Sequence, residues 1–223
     1  MKLLALDTST ELCSVALWLD GETLVREEMA GQRHSELVLP MVHELLAEAG
    51  LDLNALDGIA FGEGPGSFTG LRIGCGVAQG LAFGADLPVA GICTLLAMAE
   101  ASGASRVIAC LDARMGEVYH GVYEKAEGEW RALGTPGLSA PQDVPEVAGE
   151  GWAGCGNGFA VYGEVLAGRY AGRLAEVMPE IFPHAAEIVR LGAERFKNGL
   201  GMDAAEAAPL YIRNKVALKT SER

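Results

Sequence analysis

The sequence predicts a duplicated α/β unit. Three observations carry this: apolar runs of strand length bounded by turn residues, amphipathic runs of helix length between them, and one pattern that recurs half a chain later. The recurring stretches are "LLALDTSTELCSVALWLDGE" and "VIACLDARMGEVYHGVYEKAEG", each an apolar strand ending in Asp, a short turn and a second strand. Placing Asp112 on Asp7 sets Leu111 on Leu6, Val122 on Leu17 and Tyr123 on Trp18, an offset of 105 in a chain of 223 residues.

The elements follow in order. "KLLALDT", "CSVALWL" and "TLVREEM", with Gly21 at the second turn, read as three antiparallel strands. From Ser35 to Ala49, Leu37, Val38, Met41, Val42, Leu45 and Leu46 form an apolar stripe that stops at Gly50, so this is an amphipathic helix. Pro40 lacks an amide donor, which predicts a distorted first turn or a start near Leu39. "LDGIAFG" is a strand, the glycine-rich segment from Gly62 leads into a helix over Gly70 to Gly84, "LPVAGI" is a strand and "TLLAMAEASG" a short helix. In the second half, "WAGCGNGFAVYGEVLAG" reads as strand, turn and helix, and "PHAAEIVRLGAERFKNG" as an amphipathic helix ending at Asn198 and Gly199. The end of the chain has no strong period.

Composition narrows the function. A net charge of −13 repels phosphate backbones, so binding of RNA by this chain unaided is not expected, although the tail "YIRNKVALKTSER" is locally basic. The five cysteines are scattered, with no CxxC pair, and read as reduced core residues of a cytoplasmic protein. Asp7 interrupts the N-terminal apolar run before a signal peptide can form, and the run Ile73 to Ala85 is too short to span a bilayer, so no membrane role is expected.

The glycine segment is no Walker loop, because no Lys lies between Lys2 and Lys125, and it is no dinucleotide fingerprint, because Thr69 stands where a third Gly is needed. Its spacing is more informative. Gly70, Gly74, Ala78 and Ala82 form a bare ridge beside a bulky one of Ile73, Val77 and Leu81. Four glycines in a helix cost roughly 3 to 4 kcal/mol of propensity relative to Ala, and close approach of another backbone would offset that. Spacing alone leaves two readings open, a ridge that meets a partner and one packed inside its own domain.

Other chemistry has thin support. None of His34, His43, His120 and His184 forms H-x-x-x-H, and His34 and His43 project from opposite sides of an ideal helix. Ser67 is not in a G-x-S-x-G elbow. Asp7 with Ser9 and Thr10 after a strand has the form of a phosphate turn, while "DARMGE" at Asp112 puts Arg114 and Met115 where small or hydroxyl residues are wanted.

Taken together, "LLALDTSTELCSVAL", "RHSELVLPMV", "GIAFGEGPGSFTGLRIGCGVAQGLA", "PVAGI", "LDARMGEVYHGVY" and "PLYIRNKVA" resemble the TsaB (YeaZ) family of bacterial tRNA threonylcarbamoyladenosine biosynthesis proteins, nearly end to end. The resemblance implies an actin-like ATPase (ASKHA, ribonuclease H-like) fold of two tandem related domains, 1–103 and 104–223, with the last ~20 residues packing back on the first. It implies a non-catalytic subunit acting with TsaD and TsaE to transfer threonylcarbamoyl from its adenylate to N6 of adenosine 37 in tRNAs reading codons that begin with A. It further implies a heterodimer with TsaD, a homodimer when alone, and tRNA met only through the complex. The TsaD metal motif H-x-E-x-H has Thr94 and Met98 at its histidine places here, and neither binds metal as imidazole does. No metal and no obligatory cofactor is therefore expected; weak ATP or ADP with magnesium would fall to Asp7, Ser9 and Thr10. The implied interface is Leu37, Val38, Met41, Val42, Leu45, Gly70, Ile73, Gly74, Val77, Ala78 and Leu81. The competing reading is an independent ATP-dependent kinase or ATPase of the same superfamily; a peptidase lacks a recognisable nucleophile, base or metal set.

Overall fold

The computed structural model describes residues 1–213. The expected opening is present: β1 (Lys2–Asp7), β2 (Leu12–Leu19) and β3 (Glu22–Met29) pair antiparallel. β4 (Gly58–Gly64) and β5 (Val89–Cys93) extend the sheet on the other side of β1 in parallel, giving the order β3-β2-β1-β4-β5. Helices α1 (His34–Ala49) and α2 (Phe68–Ala85) cover one face of this sheet.

The second half repeats the plan. β6 (Arg106–Asp112), β7 (Val118–Ala126) and β8 (Glu129–Ala132) are antiparallel, and β10 (Trp152–Cys155) and β11 (Leu174–Met178) add in parallel beside β6. The order β8-β7-β6-β10-β11 mirrors the first sheet, and the short β9 (Gly137–Ser139) pairs with β7. Helices α4 (Asn157–Val161) and α5 (Gly163–Arg169) lie between β10 and β11. Two sheets sharing this five-strand order, three antiparallel then two parallel strands, are the ribonuclease H-like halves of an actin-like fold.

The duplication is real, but its register departs from the sequence alignment by one residue. Asp7 pairs with Ser14, seven positions on, whereas Asp112 pairs with Val118, six positions on. The second turn is one residue shorter, so Gly121 rather than Val122 is the counterpart of Leu17.

The lobes also differ from the expected split at residue 103. α3 (Thr94–Ala101) puts Leu95, Met98 and Ala99 against Val107, Ala109 and Tyr123 of the second sheet. In return α6 (Ala185–Lys197) lays Ala185, Ile188, Val189 and Ala193 on Leu3, Ala5, Ala16 and Ala60 of the first. Each half therefore lends its last helix to the other, and the return to the first lobe begins at α6, well before the last ~20 residues.

Pro40 neither delays nor breaks α1, which runs from His34 through it to a Gly50 C-cap in the left-handed conformation. Glu36 and Pro40 are exposed, so water can serve the Glu36 carbonyl that loses its amide donor.

Candidate partner-docking face and lobe cleft

The glycine helix is fastened to the first turn of the protein. Ser67 caps α2, its Oγ accepting from the Gly70 amide at 3.3 Å, while the Ser67 amide donates to the Ser9 carbonyl at 2.7 Å. The Thr8 hydroxyl donates to the Gly70 carbonyl at 2.7 Å. A Cβ on Gly70 would overlap the Thr8 carbonyl oxygen, and one on Gly74 would stand 2.7 Å from Thr8 Oγ1. The bare ridge is therefore used by the chain's own β1–β2 turn.

This corrects the expected interface at its buried members, whereas Leu37, Ile73, Val77 and Leu81 keep part of their surface. Gly70, Gly74 and Ala78 on α2, and Val38, Met41, Val42 and Leu45 on α1, are buried in the first lobe; Leu37, Ile73, Val77 and Leu81 are half-buried against the same core. The physical reason is the sheet, which demands the broad apolar face of both helices. The other side of α2 carries a second row at the same spacing: Arg72, Gly76, Gly80 and Gly84, all exposed, with nothing within 4 Å of a Cβ at any of these three glycines. Phe83, 82% exposed, stands beside this row, and Leu39 of α1 is 49% exposed. Arg72, the only charged residue of the helix, was the available signal that this row faces outward.

The β1–β2 turn is satisfied internally. Both Ser9 donors go to Asp7 Oδ1, the amide at 3.0 Å and the hydroxyl at 2.8 Å. Asp7 is fully buried, its Oδ2 lies against Gly62 and has no hydrogen-bond partner among the described residues. Burial pushes its carboxyl up to about 7. Of the three residues assigned to nucleotide, only Thr10 keeps an uncommitted hydroxyl proton, its oxygen accepting from the Leu12 amide at 3.4 Å. In the second turn Asp112 is engaged by the Arg114 amide at 2.9 Å, the Tyr162 hydroxyl at 3.2 Å and the Arg114 guanidinium at 3.2 Å. A carboxylate so held has little left for a hydrated magnesium ion. Both turns line a cavity of about 850 Å³ between the lobes, Asp7 lying beneath its floor rather than in its wall.

The two positions that correspond to metal histidines are packing residues. Thr94 is buried and donates its hydroxyl to the Pro65 carbonyl at 2.5 Å, and Met98 is in the core of the second lobe.

Asp7 sets a pH test. Its carboxyl titrates near 7 in the folded chain against an ordinary 3.8, so its stabilising contribution is complete below pH ~4 and is lost as pH rises to about 7. The loss is on the order of a few kcal/mol. Asp7→Asn, which has no such proton, is expected to gain stability relative to wild type between pH 5 and pH 8 in urea titrations. A pH-independent difference between the two would rule out the perturbed carboxyl. Nearby, Glu27 accepts from Ser14 at 2.7 Å and meets His184 at 2.8 Å, which lowers the Glu27 carboxyl and raises the imidazole; the Asp7 charge adds a minor part of the rise at His184, which Asp7→Asn removes.

Fold and site define a two-lobed protein of the actin-like ATPase class. Residues 25–220 match the sequence profile of the family described as TsaD: tRNA N6-adenosine threonylcarbamoyltransferase. The chain is 40% identical to the tRNA threonylcarbamoyladenosine biosynthesis protein TsaB of Escherichia coli, over 98% of this chain and 97% of that one. It is likewise 40% identical to the TsaB protein of Haemophilus influenzae, over 98% and 96%. Among solved structures, YeaZ from Pseudomonas aeruginosa superposes with a TM-score of 0.87 at 42% identity, covering 94% of this chain and 99% of the other. The chain belongs to the TsaD family, in its TsaB (YeaZ) branch.

Proposed function

We propose that this chain is a non-catalytic subunit of the assembly that transfers threonylcarbamoyl from threonylcarbamoyl-AMP to N6 of adenosine 37 in tRNAs reading codons that begin with A. It docks on TsaD through the outward side of α1 and α2, works with TsaE, and meets tRNA only within that complex. Alone it pairs with a second copy. It acts in the cytoplasm; no helix among the described residues is long and apolar enough to cross a membrane.

The observation that supports docking is the second glycine row. Packing against the chain's own turn accounts for Gly70 and Gly74, but the exposed interior glycines Gly76 and Gly80 still cost roughly 2 kcal/mol of helix propensity with nothing among the described residues to offset it. A partner helix seated on Gly76 and Gly80 would. The supporting role follows from the spent donors of Ser9, the engaged Asp112 and the packed Thr94 and Met98.

Threonylcarbamoyl transfer to tRNA, assayed with TsaD and TsaE in the presence and absence of this chain, tests the reading. Transfer is expected only when all three are present, and the isolated chain with ATP and magnesium is expected to show neither nucleotide binding nor turnover. ATP hydrolysis by the isolated chain, abolished by Asp7→Ala, would instead establish the independent enzyme.

A further inference from the structure

The chain crosses between its lobes three times among the described residues: into α3, into α6, and again after the short helical turn Ala204–Glu206. The first two crossings are locked by the exchanged helices. The third runs across the cavity as an extended strap, and Leu210, Tyr211, Ile212 and Arg213 form part of the cavity wall.

Its two ends are held differently. On the first lobe the Leu210 amide donates to the Glu63 carbonyl at 2.6 Å, and Gly64, at φ +120°, lets the backbones close, since a Cβ there would stand 2.9 Å from the Leu210 carbonyl. Tyr211 receives the Arg72 guanidinium on its hydroxyl at 2.9 Å and packs its ring 5.6 Å from that of Phe68. On the second lobe Ile212 rests half-buried on the core and, among the described residues, one side chain of the strap does the polar work. The Arg213 guanidinium, 13% exposed, pairs with Glu117 at 2.7 Å and donates to the Ala113 carbonyl at 3.0 Å, both in the β6–β7 turn. The other ion pair across the cavity mouth, Arg114 with Glu11 at 3.6 Å, joins side chains 77% and 45% exposed and holds little.

We propose that residues 208–213 are a latch on the interlobe cavity, with Arg213 as its releasable end. When the Arg213–Glu117 pair is broken, the strap stays on the first lobe by its backbone bond and the cavity mouth widens about the exchanged helices at the back. Access to the cavity is then governed by this pair. The inference is independent of the docking reading, since the pair lies in the strap and the β6–β7 turn, away from the outward glycine row.

Hydrogen exchange on the full-length chain tests it, with Arg213→Gln and Glu117→Gln as the two halves of one pair. Either variant is expected to speed amide exchange about tenfold in two places, the Ser9–Leu12 turn and the Asp112–Glu117 turn, with Arg213→Lys falling between wild type and Gln. The Ser9–Leu12 turn makes no hydrogen bond to the strap, so faster exchange there reports separation of the lobes. Faster exchange confined to residues 207–213, or in none of these segments, would overturn the latch. Unchanged thermal melting of Glu117→Gln separates lobe opening from general loss of fold.

Discussion

Gly70→Ala is expected to lower the melting temperature of the isolated chain by roughly 4 to 8 °C. The new Cβ would enter the space of the Thr8 carbonyl oxygen, and neither partner can withdraw: Thr8 also donates its hydroxyl to the Gly70 carbonyl, and the neighbouring Ser9 carbonyl receives the Ser67 amide. Alanine gains about 1 kcal/mol of helix propensity, but the overlap is with backbone and costs about 3 kcal/mol or more. Gly76→Ala, with open space at the Cβ, makes the same propensity gain without the overlap and is expected to raise the melting temperature. If both substitutions melt alike, α2 does not sit on the turn as described.

Gly80→Leu is expected to separate stability from assembly. Its Cβ would stand in open space, so the isolated chain should be stabilised by about 0.5 to 1 kcal/mol. Affinity for TsaD, measured by calorimetric titration, should fall at least tenfold, because a butyl group between closely packed helices costs at least ~1.4 kcal/mol. Phe83→Asp, on the same exposed side, should weaken the complex without unfolding the chain. Wild-type affinity in both variants would move the interface elsewhere. Gly74→Leu would not serve this purpose, since its side chain would collide with Thr8 and Leu6 inside the lobe.

How the sequence and the structure compare is clearest in α2. The spacing of four revealed a small-residue ridge, yet the helix has two such rows, and period alone cannot say which one meets the sheet. The first strands, α1, α3 and α6 were legible because turns and apolar stripes bound them clearly. β8, β9 and β11 were not, since "EWRA", "GLS" and "LAEVM" are short and carry charge or exposure at several positions, so no alternation marks them. The one-residue slip in the repeat arose from a turn-length difference that strand patterns do not report. The nucleotide assignment rested on residue types, whereas Ser9 donors are committed by a geometry no spacing rule encodes. The strap went unread because extended segments held by single side chains leave no periodic trace.

The swap of α3 and α6 has a consequence for any attempt to work with pieces of this protein. Cut after residue 103, the front fragment would keep a helix whose Leu95, Met98 and Ala99 face nothing in it and expose Leu3, Ala5 and Ala60 to water, while the rear fragment would bare Val107, Ala109 and Tyr123. Neither half could be solubly produced alone, but mixed together they should reassemble, each supplying the cover the other lacks.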